Sequence, residues 1–157
     1  METGIPEKAA IPCVLLADSD VEDREFFVNV MQMLHPNLPV LTFSNGQELL
    51  AYLGSCPGST EPLCIVMAYL MPVIPAPEVL RKMSHLPRFE NVMKVVWSDP
   101  VMEPLVSECI GLGASRFVCK PATLQEMQTL ITSFDLGSPV QGRIAAGPEE
   151  RKATSGT

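Results

Sequence analysis

Three places in the chain hold side chains able to do chemistry. The first is Asp18-Ser19-Asp20, directly after the apolar run Cys13-Val14-Leu15-Leu16-Ala17. Two carboxylates at this spacing can hold a hard divalent cation, or share the roles of nucleophile and general acid. The second is Ser98, a hydroxyl that closes the run Val92-Met93-Lys94-Val95-Val96-Trp97. The third is Lys120, between Arg116-Phe117-Val118-Cys119 and Pro121. An ammonium there can neutralise an anion, and if it is partly buried it requires one. Asp18 is the obvious counter-ion. A plainer reading stands beside this one: Asp20 caps a helix, both carboxylates aid solubility, Ser98 caps a loop, and Phe117 simply packs. Trp97 alternates away from Ser98 and reads as core.

Several other chemistries fall away. Gly111-Leu112-Gly113 ends a helical pattern instead of opening one, so it is not a dinucleotide fingerprint. Asp18-Ser19-Asp20 is followed by no glycine at the sixth loop position, which excludes an EF-hand. His35 and His85 are each followed within two residues by proline and share no helix face with another ligand type, so zinc is not expected. The five cysteines (Cys13, Cys56, Cys64, Cys109 and Cys119) form no CxxC pair and read as reduced thiols.

Composition narrows the function classes. The 157 residues carry a net charge of −7, with 46% apolar and 18% charged residues. That suits one domain with a buried core, and it offers no Lys/Arg cluster for nucleic acid. No run approaches the roughly 18 apolar residues of a membrane span. The opening METGIPEKAA lacks a basic start and an apolar stretch, so no secretory signal is expected and a cytoplasmic location is.

The elements that must position these groups alternate. Strands are expected at 13–17, 39–43, 63–68, 92–97 and 116–119. The first helix is expected between Asp20 and Pro36, and the others at 47–53, about 78–86, about 103–112 and about 124–134. Phe27, Val30, Met31 and Leu34 give the first helix its i, i+3, i+4, i+7 face, with Asp20 as N-cap and Pro36 as stop. The continuous apolar run Leu63–Ala68 suits a strand buried on both faces. Strict alternation predicts an α/β doubly wound five-stranded parallel sheet with helices on both faces. Ligands in such a sheet bind beyond the carboxyl ends of the strands, where Asp18, Ala68, Ser98 and Lys120 all stand. Residues 1–10 read as an N-terminal extension, 11–134 as the domain, and 135–157 as a disordered C-terminal tail rich in Gly, Pro, Ala and charge.

These strand ends carry a resemblance. VLLADSDVEDREFF is similar to the first strand and acidic loop of response-regulator receiver domains, especially the stand-alone type of two-component signalling. LTFSNGQELLAYL, KVVWSD and GASRFVCKP resemble that family's second strand and helix, fourth strand, and fifth strand. The resemblance implies a flavodoxin-like receiver fold with strand order 2-1-3-4-5. It also implies phosphoryl transfer from a sensor histidine kinase to an aspartate ending strand three, with Mg²⁺ held by the acidic loop.

By position, Asp18 matches the first acidic residue, and Ser19 stands where the second, a metal ligand, is usual. Asp20 completes the remnant acidic pocket. Ser98 matches the switch hydroxyl, Phe117 the aromatic switch, and Lys120 the phosphate-pairing lysine. Pro121 matches a proline usually preceded by a cis bond. Aligning PLCIVMAYLMP with the family's third strand puts Ala68 at the phosphoacceptor position. A methyl group is neither nucleophile nor metal ligand, so the expected protein is a pseudo-receiver with no catalytic residue. No cofactor is expected, and Asp18 alone leaves at most weak Mg²⁺ binding.

The expected function is two-component phosphorelay signal transduction through protein binding, without phosphorylation at the usual site. The expected partner is a signalling protein, a histidine kinase or a downstream effector. A homodimer through the helix 4–strand 5–helix 5 face is a further expectation, since Val101, Met102 and Pro104 make an apolar lead into helix four. Neither nucleic acid nor membrane is expected as a partner. An alternative comes from the enzyme class. Val14 to Val21 also resembles the first motif of haloacid-dehalogenase-type phosphatases, with Asp18 as nucleophile and Asp20 as general acid/base. The acidic pair of that family's last motif has no counterpart within the expected domain.

Overall fold

The structure is a computed structural model, and it describes residues 10–137. The expected N-terminal extension, apart from Ala10, and the expected tail beyond Gly137 lie outside the described residues. Five strands form one sheet: β1 (Ile11–Ala17), β2 (Val40–Phe43), β3 (Thr60–Ala68), β4 (Met93–Ser98) and β5 (Arg116–Cys119). The helices are α1 (Val21–Leu34), α2 (Gly46–Gly54), α3 (Ala76–Met83), α4 (Glu103–Gly111) and α5 (Leu124–Ser133), with a 3₁₀ turn at Pro87–Phe89. Every strand pair is parallel and the order is β2-β1-β3-β4-β5. The expected doubly wound order is therefore the observed one.

Contacts divide the chain into two compact units. The first comprises the residues up to Arg24 together with Pro39–Lys120, and holds the sheet with α2, α3 and α4. Its core is the sheet itself: Val14, Leu15, Leu16, Ala17, Ile65, Val66, Met67, Val95 and Val96 are fully buried. Such near-continuous apolar runs, lacking the alternation of a half-solvated strand, are what a parallel sheet requires. The second unit comprises Glu25–Leu38 and the residues from Pro121 on, and buries Phe27, Val30, Met31, Met127, Ile131 and Phe134 along α1 and α5.

Several element boundaries differ from those expected, for physical reasons. β3 begins at Thr60, before the expected Leu63, because Ile11 and Pro12 extend β1 and pair with Thr60 and Glu61. The register then slips: Cys13 faces Pro62 and Val14 faces Cys64, leaving Leu63 unpaired. A proline cannot donate to the ladder, so a bulge beside it costs little. The third helix starts at Ala76 with Pro77 in its first turn, where a missing N–H is harmless, and ends at Met83, short of the expected 86, with the 3₁₀ turn following at Pro87–Phe89.

Caps follow the local chemistry. Asn45 accepts from Glu48 N–H (2.8 Å) and Thr123 from Glu126 N–H (3.1 Å). Gly46 is needed for close approach: a Cβ there would meet Val79 Cγ2 at 2.6 Å and the Ile74 carbonyl at 3.0 Å. The bond before Pro121 is not cis; among the described residues the cis bond is Asp99–Pro100. Any X–Pro bond has its trans preference cut to about 0.5–1 kcal/mol, so sequence alone does not place the isomer.

Candidate functional site

The carboxyl ends of β1, β3, β4 and β5 bring Asp18, Ala68, Trp97 and Lys120 to one end of the sheet. Asp18 sits one residue past β1, held by its own N–H to the Phe43 carbonyl (3.0 Å). The residue is 1% exposed, and both carboxylate oxygens are engaged. Oδ1 accepts from Asp20 N–H (2.9 Å). Oδ2 accepts from the Trp97 indole Nε1–H (2.8 Å) and lies 2.9 Å from Lys120 Nζ. The Asp18 carbonyl accepts from Arg24 Nη1 (2.6 Å).

Lys120 Nζ also reaches Asp23 Oδ2 at 2.8 Å, so one ammonium spans two carboxylates. Burial by itself would lower the lysine pKa. The hydrogen bonds and charges of Asp23 and Asp18 outweigh that, and the pKa is raised above its ordinary value. Trp97 lies under the same ammonium, with Nζ 5.9 Å from its ring centroid.

The register explains how a tryptophan on β4 meets an aspartate at the end of β1. Trp97 faces Ala68 across the β3–β4 ladder, and Ala17 faces Met67 across β1–β3. One residue further along, Asp18, Ala68 and Trp97 stand side by side on one face of the sheet, because paired residues share a face. Ala68, the middle residue, has only a methyl group, which leaves room for the indole to reach over β3. A longer side chain at 68 would meet the ring.

The remaining residues singled out in the sequence are placed differently. Ser19 is exposed and its hydroxyl takes no part in the cluster. Asp20 is also exposed and serves as the α1 cap, accepting from Glu22 N–H (2.9 Å) and Asp23 N–H (3.1 Å). Ser98 contributes its carbonyl, which accepts from Lys120 N–H at 2.9 Å. Phe117 is half-buried with its ring 6.0 Å from that of Tyr69, whose hydroxyl donates to Glu108 Oε1 (3.1 Å). Burial first, and then Glu108, raise the Tyr69 pKa.

Sequence reasoning missed three participants. Trp97 is core, as its alternation predicts, but it is also the buried donor to Asp18; a buried indole N–H usually finds a partner, which was the available signal. Asp23, the second carboxylate on Lys120, and Arg24, the donor to the Asp18 carbonyl, lie early in α1 and carry no sequence signal of these contacts.

The donor set does not fit a divalent cation. Mg²⁺ requires near-octahedral oxygen ligands. Here the one buried carboxylate is filled by an indole, an ammonium and an amide. Asp20 is spent on its helix, and Ala68 offers no oxygen. Lys120 already supplies the positive charge between Asp18 and Asp23. Nor does the arrangement suit the phosphatase reading. A nucleophilic Asp18 would have to present an oxygen lone pair to substrate, and Asp20 is turned to the α1 amides.

No family model matches the chain. It is 27% identical over 146 residues to the two-component response regulator ARR7 of Arabidopsis thaliana, covering 88% of this chain and 70% of that protein. It is 28% identical over 125 residues to the Arabidopsis response regulator ARR17, covering 74% and 80%. Among solved structures, the phosphorylated cyanobacterial phytochrome response regulator RcpA superposes with a TM-score of 0.70 at 19% identity, over 81% of this chain and 92% of that one. The chemotaxis response regulator CheY4 of Vibrio cholerae gives 0.67 at 17% identity, over 81% and 99%.

The chain has the fold of response-regulator receiver domains, and the curated proteins it resembles are named two-component response regulators. The haloacid-dehalogenase alternative is set aside: none of these similar proteins is such a phosphatase, and both oxygens of Asp18 already accept hydrogen bonds. No helix among the described residues is long and apolar enough to cross a membrane.

Proposed function

We propose that this receiver domain works in two-component signalling by binding a protein partner, without accepting a phosphoryl group at the end of β3. The observation that carries this reading is the closed cluster of Asp18, Trp97 and Lys120 beside Ala68. A phosphoryl acceptor site needs an exposed carboxylate, a bound cation and a free lysine. Here the carboxylate is absent, the lysine is committed to Asp18 and Asp23, and an indole occupies the approach. RcpA, a structural relative, is described as phosphorylated; this chain keeps the frame of such a receiver with different chemistry at its strand ends. Output then depends on the protein surface that the fold presents constantly. The partner would be a sensor kinase or an effector that also engages ordinary receivers, so that this chain competes for it or holds it.

Acetyl phosphate with Mg²⁺, followed by intact mass measurement, tests the reading. The expected result is no adduct, with Mg²⁺ binding by calorimetry on the order of millimolar or weaker, as a site short of oxygen ligands implies. A stoichiometric acid-labile phosphoryl adduct would overturn it.

A further inference from the structure

In a parallel sheet the loops after β1, β3 and β4 all leave at the same end, and these three strands are neighbours. On those loops and the first turn of α1 stand Val21 (51% exposed), Leu70 (75%), Val73 (66%), Val101 (40%) and Met102 (51%). Other exposed large apolar side chains, such as Ile11, Met33 and Ile110, lie on separate elements. Scattered single apolar residues need no explanation, but a concentration at one end of a sheet marks an interaction site.

Val73 adds a second observation. It is β-branched yet holds φ at +74°, in a tight turn closed by Ile74 N–H to the Pro72 carbonyl (2.9 Å). That conformation is costly for such a residue and keeps it turned outward.

The same rim is acidic. Asp20, Glu22, Asp99 and Glu103 are exposed around the apolar residues. The nearby cations do not offset them: Lys120 is shared by Asp18 and Asp23, and Arg24 is engaged on the Asp18 carbonyl. Asp20 accepts from helix amides and Glu103 from the Ser107 hydroxyl, but none of the four carboxylates has a salt bridge among the described residues. An apolar surface ringed by carboxylates without a cationic partner favours one kind of occupant and repels acidic ones, a second copy of this chain with its net charge of −7 included.

We propose that the strand-end rim formed by Leu70, Val73, Val101 and Met102 is a docking surface for a partner segment that combines large apolar side chains with Lys or Arg. This inference rests on the protein-binding reading above and names the surface and partner chemistry for it. The apolar side chains fill the space between the two loops, and the basic groups meet Asp20, Glu22, Asp99 and Glu103. Closure of the site beneath by Trp97 and Lys120 gives the rim a floor that does not change with metal or phosphate.

The test uses the full chain, ¹⁵N-labelled and titrated at low salt with a synthetic amphipathic leucine–lysine helix, and with a matched leucine–glutamate helix as control. The expected result is saturable shift changes centred on residues 20–22, 70–73 and 99–103, with the acidic peptide at least about tenfold weaker. The double variant Leu70→Asp/Val73→Asp should weaken the basic peptide at least about tenfold, as loss of a central apolar anchor does. Ile110→Asp on α4 should stay within about twofold, in line with a residue outside the contact. If the aspartates perturb folding, Leu70→Ser/Val73→Gly serves instead, since glycine accepts the Val73 backbone angle.

Equal binding of both peptides, shifts confined to α4 and β5, or no saturable binding would each overturn the rim. Self-association abolished by Leu70→Asp/Val73→Asp would do so as well, by making a second copy the occupant. None of these outcomes produces a phosphoryl adduct, so failure of the rim is distinguishable from failure of the functional reading.

Discussion

Two lysines sit at opposite ends of the same sheet and are satisfied in opposite ways. Lys94, at the start of β4, is 7% exposed, and its ammonium donates to the carbonyls of Glu90 (3.2 Å) and Val92 (3.1 Å). Burial lowers its pKa, and the charge of Glu90 only partly opposes this. Lys120, just past the end of β5, is gripped by two carboxylates and its pKa is raised. Carbonyl dipoles solvate an ammonium without requiring its charge; a buried carboxylate requires it. One lysine therefore closes a loop, and the other balances a site. The difference distinguishes the two ends of the sheet better than burial does, since Lys94 is the more buried of the two.

The largest expected effect comes from removing the anion on which the second arrangement depends. Asp18→Ala strips partners from the Trp97 indole, Lys120 and the Asp20 amide together, and should cost about 3–5 kcal/mol in urea unfolding. A loss below about 1 kcal/mol would mean the cluster is surface decoration and the contrast with Lys94 is empty.

Ala68→Asp comes next. It places a second carboxylate beside Asp18 and against the indole, and should cost about 2–3 kcal/mol at neutral pH through like-charge repulsion and crowding. Ser19→Asp alone should not restore metal binding in that background. Adding Trp97→Val, which opens the approach, should give Mg²⁺ binding detectable by calorimetry. Tight Mg²⁺ binding without the Trp97 change would show that the indole does not obstruct the site.

Lys120→Met should cost about 2 kcal/mol, less than the Asp18 change because the lysine is partly solvated. Its signature is the pH profile. The folded-state pKa lies above the ordinary 10.5, so the folded chain holds this proton more tightly than the unfolded one. The stabilisation is complete below the unfolded pKa and disappears as pH rises through the folded one. Burial of Cys64, pushed up to about 12, and of Cys109, pushed up to about 11, steepens the same alkaline loss. The lysine share is therefore the difference between parent and variant above about pH 10, where an ordinary lysine titrates. Identical alkaline limbs would remove the assignment.

Lys94→Met is expected to be the smallest change, within about 1 kcal/mol, because two carbonyls lose a donor while an ammonium is spared its burial. The sign of its pH effect is also opposite. A lysine with a depressed folded pKa makes folding more favourable as pH rises between the folded and unfolded values, so the variant should lose that gain. A cost comparable to Lys120→Met would erase the distinction between the two ends.

The alternation of elements was legible because a parallel sheet imposes continuous apolar runs, and Val14–Ala17, Leu63–Ala68 and Val95–Trp97 are such runs. Asp18 and Lys120 were also legible as neighbours, because both stand at strand ends that the doubly wound order gathers together. The bulge at Leu63, the early start of β3 and the roles of Asp23 and Trp97 were not. Each depends on which residues of separate elements face one another, and a chain read alone carries neither strand register nor the placement of a helix against a strand end.

The sequence by itself determined the fold class, the strand-end placement of Asp18, Ser98 and Lys120, and a methyl group in place of any polar group at position 68, because hydrophobic periodicity and residue chemistry are local properties. Only the tertiary structure decided that Trp97 reaches Asp18 across Ala68 and that Lys120 is shared by Asp18 and Asp23. Those outcomes come from β1, β3 and β4 lying in lateral register, with an alanine between an aspartate and a tryptophan. Residues 79 positions apart then form a 2.8 Å hydrogen bond that no local pattern encodes.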